Sequence, residues 1–87
     1  MAHHDPLPPL PDTPTPGIYR HVKGNLYEVL GLVRHSEDLS PLVLYRRLDA
    51  HGQPLPDAPW VRPWSMWSEL VPGPHGPVPR FAPVSME

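Results

Sequence analysis

Proline placement constrains this chain more than any other feature. Six of the 16 prolines fall within the first 16 residues, whereas residues 17–40 contain none. Each proline fixes φ and removes an amide donor, so so dense a segment supports neither a helix nor the interior of a sheet. Residues 1–16 are therefore expected to form an extended or disordered tail. The folded domain should begin at Gly17 and span residues 17–83, with 84–87 as a frayed C-terminus. Roughly 70 residues lie at the lower end of what one hydrophobic core supports, so a large enzyme with a deep cleft is not expected.

Within the domain the pattern is that of short strands. Ile18 and Tyr19 open the first, and the Gly24-Asn25 pair marks a tight turn. Residues 26–35 alternate as a long strand, with Tyr27, Val29 and Val33 on one face and Leu26, Leu30 and Leu32 on the other. Gly31 stands where a strand would bulge or bend. The polar SEDLSP segment reads as a turn into a second β-branched run, residues 42–48. Residues 49–59 carry three prolines, a glycine and two aspartates and read as an exposed loop. Beyond it come a short strand at 60–62, a helical turn at 64–67 entered through Pro63, and two further short strands near 68–71 and 80–82. The expected fold is all-β: a small, SH3-like, partly open barrel of about five strands with one helical turn. An oligonucleotide-binding-fold barrel is the alternative. The expected core is Ile18, Leu26, Val29, Leu30, Val33, Val43, Leu48, Val61, Met66 and Val71.

A net charge of -2 gives no polybasic footprint, and the absence of cysteine excludes disulfides and thiolate metal sites. No apolar run approaches a membrane span, and the N-terminus lacks the features of a secretory signal, so a cytoplasmic protein without membrane contact is expected.

The ordered motifs GIYRHVKGNLYEVLG, RHSEDLSPLVLYRRL, WVRPWSMW and PRF resemble the bacterial family called domain of unknown function 1653. The resemblance covers about residues 17–81 and implies a bacterial source and the domain limits rather than a chemistry. The chain departs from the family pattern at three places. Val22 stands before KGN in place of an aromatic, Met66-Trp67 ends the helical turn in place of Met-Phe, and the loop at 49–59 is longer and richer in proline.

Cations interleave with aromatics, Arg20, Lys23, Arg34, Arg46, Arg47 and Arg62 with Tyr19, Tyr27, Tyr45, Trp60 and Trp64, and the residues singled out for a binding role are Arg20, Lys23, Arg46 and Arg62 with Tyr45, Trp60, Trp64 and Trp67. Guanidinium groups pair with carboxylate or phosphate and stack on rings. Arg62, between Trp60 and Trp64, is expected to be held by stacking along a sheet edge. One tryptophan should fill the core, and an exposed one would anchor a peptide or a stacked base. The histidines lack zinc-motif spacing, and His35-Ser36-Glu37-Asp38 fits turn chemistry, since neighbours on a strand point to opposite faces and form no triad. No enzyme, metal or cofactor is expected. The sequence therefore points to a small binding module engaging a protein or peptide, or a single-stranded nucleic acid, as a monomer or weak homodimer. The alternative is a structural or regulatory subunit that self-associates or docks on an enzyme around Met66 and Trp67. Residues 7–11, LPPLP, have the spacing of a proline-rich ligand, but Asp5 stands where a basic anchor is usual. The tail reads first as a solvated linker; as a ligand it would need a partner with a basic residue, and the domain's own Arg62 with Trp60 is one candidate.

Overall fold

The computed structural model describes residues 7–84. Seven strands and one helical turn follow in order: β1 (Gly17–His21), β2 (Leu26–Arg34), β3 (Pro41–Leu48), β4 (Trp60–Pro63), α1 (Trp64–Trp67), β5 (Leu70–Gly73), β6 (Gly76–Pro79) and β7 (Phe81–Pro83). Five make one antiparallel sheet in the order β4-β3-β2-β1-β7, and β5 and β6 form a separate hairpin. The architecture is all-β and partly open, with no closed barrel. The strand near 68–71 is β5, and the strand the sequence did not suggest is its partner β6: residues 70–79 carry four prolines and still leave a hairpin, because a two-stranded ladder needs few amide donors.

Turn chemistry sets the sheet's connections. Between β1 and β2, the His21 amide donates to the Asn25 carbonyl at 2.8 Å and the Gly24 amide to the His21 carbonyl at 2.7 Å. Gly24 sits at φ +104, a conformation that needs glycine. Between β2 and β3, the Asp38 carboxylate accepts the Ser40 amide at 2.9 Å and His35 Nδ1 accepts the Glu37 amide at 3.0 Å, as a turn reading of RHSED requires.

A β-bulge decides what faces the core. On β2, Val29 pairs with Tyr45 and Gly31 with Leu44, so Leu30 is the extra residue. One inserted residue reverses the alternation beyond it. Leu32, and not Val33, therefore packs on the same side as Tyr27 and Val29, and Leu30 is left exposed.

The core is more aromatic than the sequence pattern implies. Tyr19, Val29, Val43, Leu48, Trp67 and Phe81 are buried. Val29, Val43 and Leu48 were expected; Ile18, Leu26, Val33 and Val71 are only half-buried. Val61 and Met66 are corrections, at 53% and 43% exposed. Val61 pairs with Leu44, while its neighbours Trp60 and Arg62 pair with Tyr45 and Val43. Directly paired residues share a face, so β4 turns Trp60 and Arg62 toward the core side and Val61 away from it. Trp67 stacks on Phe81 with centroids 3.8 Å apart and meets Tyr19 edge-on at 5.8 Å. Tyr45 is tilted against it at 5.4 Å. Large rings fill the space under a short sheet that few aliphatic side chains would fill.

Candidate functional site

The eight residues singled out in the sequence do not form one site. Arg20 and Arg46 lie on the outer face of the sheet, opposite the aromatic core, where Arg46 pairs with Glu28 at 2.6 Å. Lys23 is exposed in the β1–β2 turn. Trp60 is exposed, but its Nε1 donates to Asp57 Oδ2 at 2.8 Å. Arg47 grips the same carboxylate with two bonds of 3.1 Å and lies 5.9 Å over the Trp60 ring. Hydrogen bonds from Arg47, then from Trp60, hold the Asp57 carboxyl at about 2.

Arg62 does not stack between Trp60 and Trp64. Its Nε donates to the Met66 carbonyl at 3.2 Å, its Nη2 is 3.8 Å from Glu69, and its guanidinium lies 5.7 Å over Phe81. The pairing of β4 with β3 aims the side chain across the aromatic core and not along the edge. Trp67 belongs to the core at 3% exposed, so of the pair expected to form a docking face only Met66 reaches the surface. Tyr45 is half-buried against Trp67 and Tyr27, and burial pushes its phenol up.

Trp64 leads to the arrangement that the sequence did not disclose. Its indole Nε1 donates to the Thr13 carbonyl at 2.7 Å. The Tyr19 hydroxyl donates to the Thr15 carbonyl at 2.8 Å, and Arg34 Nη2 to the Pro8 carbonyl at 2.7 Å. Residues 7–16, free of helix and strand, thus cross the domain as a strap that meets β2, α1 and β1 in turn, with Pro14 buried. The strap engages Arg34, Trp64 and Tyr19, and not Arg62 and Trp60. Beside it opens a groove of about 430 Å³, lined by Tyr19, Trp64, Trp67, Leu70, Phe81 and Pro83, with Thr13, Pro14 and Thr15 along one side. No charged side chain lines it among the described residues.

Among the described residues no three His, Asp or Glu side chains come together as a metal would need, and no helix is long and apolar enough to cross a membrane.

Residues 17–83 match the family model described as protein of unknown function DUF1653. The chain belongs to the DUF1653 family. It is also similar to a crystal structure of a protein belonging to DUF1653 from Bordetella bronchiseptica, at 39% identity and a TM-score of 0.66, over 84% of this chain and 94% of that one. No curated protein matches it. The DUF1653 match begins at Gly17. Tyr19, Arg34 and Trp64 therefore belong to the matched domain, whereas the strap carbonyls they hold lie before it.

Tyr19 and Arg34 stand among the interleaved cations and aromatics of the sequence, but neither is singled out there, because each looks like an ordinary strand residue. Their partners are backbone carbonyls, which every residue has and no sequence distinguishes.

Proposed function

We propose that this DUF1653 domain is a peptide-binding module that holds an extended, proline-rich segment by its backbone carbonyls alongside the aromatic groove, and that its own tail occupies this track in cis. One observation carries the reading: three side-chain donors, an indole N–H, a phenol O–H and a guanidinium, each hold a carbonyl of residues 8–15. Prolines offer no amide donor, so a site for such a segment must supply donors to its carbonyls and apolar rings to its side chains. The groove has both. A nucleic-acid strand needs cations for its phosphates. Here Arg46, Arg47, Arg62 and Arg80 are each paired with a carboxylate of the same domain, and the groove carries no charge.

The test uses the full chain with Pro14→Glu, which puts a carboxylate at a buried position and displaces the strap. A synthetic peptide of residues 7–16 is titrated into it by calorimetry. Micromolar binding is expected, and no binding to the wild type at the same concentrations, because a tethered ligand competes at an effective concentration of order millimolar. Failure of the folded variant to bind, or tighter binding of a single-stranded oligonucleotide, would overturn the reading.

A further inference from the structure

We infer that Arg34 sets the specificity of this groove by pairing with an acidic residue that the peptide carries N-terminal to the segment crossing Trp64. The inference rests on the peptide reading above.

Arg34 closes β2 at the end of the site where the earlier residues of the strap arrive. Its Nη2 donates to the Pro8 carbonyl, while its Nε is buried and has no partner among the described residues. A guanidinium is a planar fork of five donors that fits a carboxylate with two parallel bonds. A buried donor left unmade is costly. One carbonyl therefore leaves this fork half used. Arg80 shows the contrast. Its Nε is also buried without a partner, yet its Nη2 lies 3.5 Å from Glu69, so its charge is met within the domain. No ion pair among the described residues uses Arg34.

The composition of the tail fits such an anchor. Residues 1–16 contain two aspartates and no lysine or arginine. Asp12 lies beyond Pro8 on the Trp64 side, whereas Asp5 lies upstream, outside the described residues. A ligand built on the same plan would place Asp or Glu within a few residues before the first carbonyl contact, where the Arg34 Nη groups, and not the buried Nε, would take it.

The Pro14→Glu chain is titrated with three synthetic peptides of residues 5–16: the native DPLPPLPDTPTP, its Asp5→Ala form and its Asp5→Lys form. The native peptide is expected to bind about five- to tenfold more tightly than the alanine form, with the lysine form weakest. In a second chain that also carries Arg34→Glu, the order of the aspartate and lysine peptides should reverse, and a merely structural arginine would not produce that reversal. Equal affinities for all three, or an order unchanged by Arg34→Glu, would overturn the role of Arg34 and leave the peptide site standing. Absence of binding by every peptide would remove the site itself. If Pro14→Glu fails to fold, the same unlabelled peptides at millimolar concentration are competed against the wild-type strap, read by the NMR signals of the chain's own Thr13 and Thr15 amides, which shift when the tail is displaced. The Arg34→Glu chain supplies the reversal there too, and failure of all three to shift the signals removes the site.

Discussion

The edge at Trp60 and the groove at Trp64 are built from the same residue types and differ in what satisfies them. At the edge, the indole N–H of Trp60 and the guanidinium of Arg47 share the Asp57 carboxylate, a partner three and ten residues away in the same loop and hairpin. That cluster is complete in itself. At the groove, Trp64, Tyr19 and Arg34 donate to carbonyls of a segment that belongs to no strand and precedes the family domain. An exposed aromatic beside an arginine thus indicates nothing about binding until its donors are traced. A partner outside the domain, and not the conspicuous residues, is what the proposed site rests on.

The difference between the two tryptophan environments is widest in stability. Trp67→Ala should cost about 3–5 kcal/mol, since a stacked, buried indole leaves a cavity the short sheet cannot close. On a domain this small that loss should abolish the cooperative thermal transition followed by circular dichroism. Trp60→Ala, at a half-exposed edge, should leave the transition in place.

Binding sharpens the contrast next. Trp64→Phe keeps a ring in the groove but removes the donor to the Thr13 carbonyl. In the Pro14→Glu background it should weaken the residue 7–16 peptide roughly tenfold by calorimetry, the worth of one hydrogen bond with an otherwise unsatisfied partner. A change smaller than about twofold would mean the ring alone does the binding.

A smaller effect is expected from pH. His21 lies edge-on to Phe81 at 5.0 Å, and burial, followed by the charges of Arg80, Lys23 and Arg62, lowers its pKa from 6.5. The unfolded chain therefore takes up this proton at a higher pH than the folded domain does. Stability is full above 6.5 and falls as the pH drops through that value toward the lower folded one. His21→Gln should flatten the pH dependence of the melting temperature between about pH 7 and 5. An unchanged slope would place the sensitivity elsewhere.

Least of all should Asp57→Asn matter to the groove. It releases Arg47 and Trp60, yet peptide affinity should stay within about twofold, because the two sites share no partner. A larger loss would join the edge to the site and undo the comparison.

Much of the fold was legible in residues 17–48, where a proline-free run, a Gly-Asn turn and a β-branched second strand give the central β1-β2-β3 ladder. The Gly31 irregularity was legible too, but not its direction. Whether a bulge inserts Leu30 or bends the strand depends on the partner, and the choice moved Leu32 inward in place of Val33. The aliphatic core was read from periodicity, which finds Val29 and Val43. It misses Tyr19 and Phe81, whose burial comes from meeting Trp67, a contact between β1, β7 and α1. Of the three donors at the candidate site, Tyr19 and Arg34 stood among the interleaved cations and aromatics, but only Trp64 was singled out for binding, and for its ring more than for its N–H.

Local chemistry, then, lay in the sequence: where backbone hydrogen bonding is possible, where turns close, and which family the chain resembles. Those properties depend on neighbouring residues and on the restriction of φ, so a string of residues carries them. Tertiary structure alone decided that the arginines of β3 and β4 are spent on acids of the same domain, and that a tail unable to form a ladder still finds donors across the groove. Both outcomes depend on which groups meet through space, and a backbone carbonyl looks the same at every position until a donor reaches it.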